Sequence, residues 1–321
     1  MLKISSIVTP EEELQAYYEE LRRQRLSPAW LSAGVTREPA SKAVPHVWHW
    51  RDLRPQAMRA AELVGTEQAE RRVLRCINPE LPSGAANTLV ANVQVVMPGE
   101  IARAHRHTAS ALRFIIEGEG GCTVVNGERI PMRPGDLVLT PNWTWHDHFN
   151  DTSAPMMWLD GLDTALVRML EAGFYEEYWA ETQAPGVDPS VHKWHYPLTE
   201  ARAALQSLGV ESPFDGLILE YLNPLAGPVM PTIACFIQML QPGQRTRAHR
   251  HVCCTNYHVI EGSGYSIAGD RRLDWEDKDI FTIPTWTFHE HVNTGDRPAL
   301  LFSFSDAPVM KALGLYREQA E

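Results

Sequence analysis

Hydrophobic and polar positions change their rhythm three times along the chain. Near the amino terminus, Thr9-Pro10-Glu11-Glu12 is a helix start: Thr9 can cap, Pro10 suits the first turn and Glu12 completes a capping box. The helix is expected to run to about Leu26, before Ser27-Pro28. Residues 28–55 are rich in Trp and Pro without a period and read as an irregular arm. Glu67–Arg75 fits either a helix end or a strand start. From about Thr88 the texture becomes short β-rich runs: Leu89–Met97, Leu112–Ile116, Cys122–Val125, Leu137–Thr140 and Met156–Asp160. Turn signals divide them, among them Asn126-Gly127, the strongest short hairpin signal. Leu162–Ala180 reads as helical and, with 181–213, leads to a second β-rich stretch from Leu217 to Phe304. The tail from Pro308 reads as a short helix. The expected class is all-β, with a helical amino-terminal extension and a helical linker.

The two β-rich stretches are copies. Gly99-x5-His105 matches Gly243-x5-His249, Gly118 matches Gly262, and Asn150 matches Asn293, at an offset of about 144 residues. The expected division is a lead-in over 1–85, a first β-domain over 86–160, a linker over 161–213, a second β-domain over 214–307 and a tail over 308–321.

Each copy carries three histidines in a repeated context. His105-Arg-His107 is followed by Pro141-Asn-Trp-Thr-Trp-His146-Asp-His148, and His249-Arg-His251 by Pro284-Thr-Trp-Thr-Phe-His289-Glu-His291. The second and third histidines stand 39 residues apart in the first copy and 38 in the second. In a strand, residues i and i+2 share a face, so each His-x-His pair presents two imidazoles to which a returning strand adds a third. Three neutral imidazoles suit Fe, Zn, Cu or Ni better than Mg or Ca. A lone His-x-His would be weak evidence; two copies with matched flanks make metal binding in the first the leading expectation.

Size and charge narrow the function. A chain of 321 residues can hold two full cores. Its net charge of −11 argues against a nucleic-acid partner, so an anion site would need a local arginine cluster. Arg71, Arg72, Arg75 and Arg113 are the candidates, and Arg113 stands out because it interrupts the apolar run Ser110–Ile116. No apolar run approaches a membrane span, and the amino terminus lacks a signal-peptide core. Cys76, Cys122, Cys235, Cys253 and Cys254 form neither a disulfide framework nor a CxxC pair; buried thiols and a cytoplasmic location are expected.

Gly-x5-His-x-His, followed by Gly135-x5-Pro141 and His146-x3-Asn150, resembles the two signature motifs of cupins, and two copies resemble a bicupin of two jelly-roll barrels. The general motif has a Glu four residues after the second His, where this chain has Ala111 and Thr255. A three-His site without it leaves three octahedral positions, enough for a bidentate substrate and O2. The wording Pro98-Gly-Glu100, Ala104-His-Arg-His107, Leu112-Arg-Phe114 and Thr140–His148 is similar to the gentisate 1,2-dioxygenase family, which includes salicylate and 1-hydroxy-2-naphthoate dioxygenases. The resemblance implies Fe(II) on His105, His107 and His146, with O2 as co-substrate. It implies Gln94, Arg113 and His148 against the substrate, Arg113 and His148 also acting in catalysis, and an upstream Arg75 or Arg71 holding the carboxylate. The family often has an aromatic residue where this chain has Val90, so a bulkier or substituted ring is a possible guest. The implied reaction cleaves an ortho-hydroxybenzoate between its carboxyl- and hydroxyl-bearing carbons, gentisate giving maleylpyruvate, in a homotetramer.

Trp143 and Trp145 read as barrel packing rather than substrate stacking. The second copy keeps His249, His251 and His289, but Tyr257 stands where Arg113 stands in the first. Inherited structural histidines and a second metal site of different chemistry are both open readings. So, for the whole chain, is a non-catalytic bicupin that binds a small organic acid.

Overall fold

The computed structural model describes residues 9–32, 34–186, 193–225 and 227–321. The chain divides into an amino-terminal unit, Met1–Ala40, and a larger unit, Ser41–Glu321. In the former, a helix spans Pro10–Arg23. The Glu12 N–H donates to Thr9 Oγ1 at 3.3 Å and the Thr9 N–H to the Glu12 carboxylate at 2.8 Å, the two halves of the expected capping box.

The larger unit contains two β-domains of like design. In the first, a six-stranded sheet runs His195–Tyr196, Leu137–Thr140, Ala111–Glu117, Met156–Leu162, Val90–Val96, Arg72–Arg75. It faces a five-stranded sheet in the order Tyr175–Glu177, Ile101–His107, His146–Phe149, Cys122–Val125, Glu128–Pro131. In the second, the six-stranded order is His46–Trp48, Ile280–Ile283, Thr255–Glu261, Ala299–Ser305, Ala234–Leu240, Leu217–Tyr221. Its companion sheet runs Arg271–Trp275, Gly264–Ala268, His289–Asn293, His249–His251, Glu318–Ala320. This is the antiparallel two-sheet jelly roll expected of a bicupin.

Alternation along the strands explains the packing. Ile115, Val138 and Trp158 point into the first domain with Met132 and Val125. Their neighbours Leu112, Phe114 and Leu159 point out of the same sheet into a core shared with Phe302 and Phe304 of the second domain. Phe114 and Phe302 stack with centroids 4.2 Å apart. Burial on both faces is why these strands read as continuous apolar runs. The turns obey local chemistry: Asn126 (φ 48°) and Gly127 (φ 85°) supply the two left-handed positions of the hairpin. Gly118 has φ 89°, and a Cβ there would meet Met156 Sδ and the Pro155 carbonyl at 2.5 Å, so the repeated glycine is sterically required.

Several expectations need correction. The arm over 28–55 is not wholly irregular: His46–Trp48 is a strand paired to Ile280–Ile283, and Trp50 begins a helix to Leu63 with Pro55 inside it. Glu67–Arg75 ends in the strand Arg72–Arg75. Leu162–Ala180 is helical only over Thr164–Met169, because Glu171 turns to φ 54° and the chain re-enters the sheet as Tyr175–Glu177. The tail forms the helix Ala307–Ala312 and then the strand Glu318–Ala320 beside His249–His251. All five cysteines are buried and unpaired. Among the described residues no helix is long and apolar enough to cross a membrane.

His258 supplies a pH test of the shared core. It is 2% exposed, packs on Phe114, and burial pushes its pKa from 6.5 down to about 3. The unfolded chain therefore binds a proton that the folded chain refuses, and stability falls as pH drops from about 6.5 toward 3. The buried cluster histidines add to the same slope, so in denaturant melts of the metal-free protein His258→Phe should reduce it by one proton's share; an unchanged slope would remove His258 from it.

Candidate metal centre

Two strands of the five-stranded sheet build the first cluster. His105 and His107 lie on the same face of Ile101–His107, and the strand His146–Phe149 pairs His146 directly opposite His105. One potential ligand atom from each lies within 4.8 Å of the others. The Nδ1 atoms face backbone carbonyls: Arg103 at 2.8 Å from His105, Ala109 at 2.7 Å from His107 and Thr144 at 2.9 Å from His146. Those carbonyls accept the Nδ1–H, fixing the tautomer that leaves each Nε2 lone pair for a cation. His146 Nε2 is buried without a partner. Burial, with the positive Arg71 nearby, lowers His105 to about 3; burial lowers His107 to about 4 and holds His146 well below 6.5. The imidazoles are neutral at ordinary pH, as ligation requires, and among the described residues no carboxylate joins them. That donor set fits a transition metal and not Mg or Ca.

Polar groups gather around the triad. Arg71 Nη1 lies 2.9 Å from His105 Nε2. Arg113, 4% exposed, donates to Thr140 Oγ1 at 2.8 Å and faces Asp160 at 3.5 Å. Burial lowers Arg113 only to about 10, so it stays cationic, while burial raises Asp160 to about 6 against the pull of Arg113. Asp160 also accepts from Trp158 Nε1 at 2.9 Å. Register pairing puts Arg113 opposite Asp160 and Asp160 opposite Asn92, with Gln94 two residues on along the same face. Gln94 Nε2, Asn92 Oδ1 and His148 Nε2 are buried without partners. His148 Nδ1 is 2.8 Å from Thr123 Oγ1, and burial, then Arg113, keeps this imidazole well below 6.5.

The cupin domain family matches residues 92–161 and 236–305, one match per β-domain. The chain is 40% identical to a 5-aminosalicylate 1,2-dioxygenase from Comamonas sp., over 97% of this chain and 91% of that one. It is 38% identical to gentisate 1,2-dioxygenase 1 from Aquipseudomonas alcaligenes, over 96% of both. It superposes with a TM-score of 0.88 and 33% identity on a gentisate adduct of the salicylate 1,2-dioxygenase from Pseudoaminobacter salicylatoxidans, covering 100% of this chain and 96% of that one. The chain belongs to the gentisate and salicylate 1,2-dioxygenase family of bicupins. It is therefore a ring-cleaving dioxygenase.

Not every candidate residue of this dioxygenase reaches the triad. Of the two upstream arginines, Arg71 touches His105, whereas Arg75 is exposed opposite Asn92 on the sheet's outermost strand. Arg72 points the other way and pairs with Glu100. Trp143 and Trp145 do not fill the barrel; they sandwich the Arg106 guanidinium at 4.5 and 4.4 Å. Two residues that sequence reasoning missed stand at the site. Tyr175 stacks on His105 at 5.6 Å, and Asp160 braces Arg113. A carboxylate inside the otherwise apolar run Met156–Leu162 was the available signal for Asp160. The second triad, His249, His251 and His289, also converges within 4.8 Å.

Proposed function

We propose that this dioxygenase holds Fe(II) on His105, His107 and His146 and uses O2 to cleave an ortho-hydroxybenzoate between its carboxyl- and hydroxyl-bearing carbons, gentisate to maleylpyruvate foremost. A 5-substituted salicylate, such as the 5-aminosalicylate of the Comamonas relative, or 1-hydroxy-2-naphthoate is the alternative guest. The observation that carries the reading is the pair of arginines, Arg71 and Arg113, beside an all-imidazole triad. A cation on neutral ligands next to two guanidinium groups leaves surplus positive charge, which an aromatic carboxylate with its phenolate neutralises.

Bound there, ferrous iron supplies the meeting point that lets ground-state O2 react with a closed-shell ring. The protein's own residues do the rest. Arg113 anchors the carboxylate, with Asp160 and Thr140 fixing its fork. Arg71 donates to His105 Nε2 in this structure; were that nitrogen to hold the iron, the Arg71 guanidinium would be left to pair with the substrate carboxylate. Gln94 offers a buried amide donor, and His148 a buried Nε2 that holds or takes a proton at a ring oxygen. The small Val90 leaves room for a ring substituent, and Asn92 offers it a hydrogen bond. The homotetramer rests on the resemblance alone, and Phe174 and Trp179, 71% and 85% exposed, are apolar surface open to a partner subunit.

An oxygen-electrode screen of the iron-loaded enzyme with gentisate, salicylate, 5-aminosalicylate and 1-hydroxy-2-naphthoate tests this. O2 uptake should require iron and an ortho-hydroxybenzoate; binding without O2 consumption would favour an acid-binding bicupin instead. Asn92→Ala should shift the gentisate-to-salicylate preference by about tenfold, the worth of one hydrogen bond of 1–1.5 kcal/mol. An unchanged ratio would remove Asn92 from substrate selection.

A further inference from the structure

We propose that the carboxy-terminal domain carries a second divalent-metal site, on His249, His251 and His289, whose surroundings exclude the aromatic acid that the first site takes. The metal half of this inference stands on its own residues, and the exclusion half rests on the function proposed above for the first site.

Two members of the second triad repeat the carbonyl-held Nδ1 of the first, and His249 departs from it in leaving Nδ1 buried without a partner. His251 Nδ1 lies 3.0 Å from the Cys253 carbonyl and His289 Nδ1 3.0 Å from the Thr287 carbonyl, so the Nε2 atoms are left for ligation. His289 is 1% exposed, and its Nε2 has no partner. Neighbouring His291, 0% exposed, likewise has an unpartnered Nε2, and its Nδ1 meets Ser266 Oγ at 2.8 Å as His148 meets Thr123. Histidines kept only for packing would not need to converge with nitrogens of His249 and His289 buried and unsatisfied; each such orphan is costly unless something binds it. Two of the three, His249 and His251, line a cavity of about 190 Å³.

What lines that cavity differs from the first site in the sign of its charge. In the first domain, sheet register aligns Arg113, Asp160, Asn92 and Arg75 in one row. The equivalent row in the second is Tyr257, Ser303, Phe236 and Glu220. Tyr175, opposite His107, is replaced by Glu318, opposite His251. Arg113 has given way to Tyr257, and Asp215, Glu220 and Glu318 line the cavity with Lys311 as the one Lys or Arg among its lining residues. A +2 ion on neutral imidazoles needs negative charge nearby in a medium of low polarity. In the first site a substrate anion must supply it; in the second, carboxylates of the chain already do, and they repel a further one. The second site thus favours retention of the metal and disfavours gentisate.

The test uses full-length protein stripped of metal by a chelator and titrated with Co²⁺, followed by visible absorption and equilibrium dialysis. Two equivalents per chain are expected for the wild type. His105→Ala/His146→Ala should bind one equivalent, and His249→Ala/His289→Ala the other. Gentisate should change the Co²⁺ spectrum of the variant that keeps the first triad and leave that of the variant that keeps the second unaltered. A wild-type stoichiometry of one would overturn the second site even if a variant failed to fold. A gentisate-induced change at the second triad would overturn the exclusion. Two equivalents, neither responding to gentisate, would uphold the second metal site and overturn the reading of the first.

Discussion

Replacing His146 with alanine should lower O2 uptake with gentisate by more than about 100-fold and cost the first domain its metal. The scale follows from supporting residues around metal ligands, whose loss alone costs about 10–100-fold; a ligand should cost more. His146 is the member delivered by a second strand, so its removal leaves only the His105 and His107 pair, which any exposed His-x-His strand could match. Its side chain is 1% exposed with Nδ1 held by the Thr144 carbonyl, and no other histidine shares that anchor. Iron content and oxygen consumption should fall together. A variant that keeps a tenth of the activity would show that the chemistry lies elsewhere.

Arg113→Met should reduce kcat/KM by about 10–150-fold, the equivalent of losing charge-assisted hydrogen bonds worth about 1.5–3 kcal/mol. The substitution also strips Asp160 of the cation that draws its pKa down. With a starting value of about 6, Asp160 then rises further and is protonated at neutral pH, which limits the stability loss. Arg113→Met/Asp160→Asn should accordingly restore stability toward wild type without restoring turnover. Recovery of both would make the pair a folding element with no part in binding the acid.

How much of this was readable beforehand depended on whether a residue's setting was local. The His-x-His pairs were legible because strand alternation alone puts residues 105 and 107 on one face, and the repeated flanks announced the third ligand. Arg113 was legible as a permanent charge inside an apolar run. Arg71 and Arg75 could not be separated by spacing, since residues four apart on a strand share a face; only the fold places Arg71 at His105. Tyr175 was hidden because a three-residue strand has no measurable period and lies in a segment with helix-like composition. The strand His46–Trp48 was illegible for a stronger reason: its partner is over 230 residues away, and nothing in a Trp- and Pro-rich arm specifies that register.

That distant pairing ties the two domains together. Val47 sits opposite Phe281 in the second domain, yet the helix that begins at Trp50 packs on Arg72–Arg75 and Val90–Val96 in the first. Asp279 accepts the Trp50 N–H at 2.7 Å, and Lys278 reaches Glu117 across the seam at 2.7 Å. Fission of the gene between the copies would give one fragment without its outer strand and another whose strand had nowhere to lie. The two copies are thus interlocked: a segment that precedes the first completes a sheet of the second, so a change on either side of the seam is felt by both.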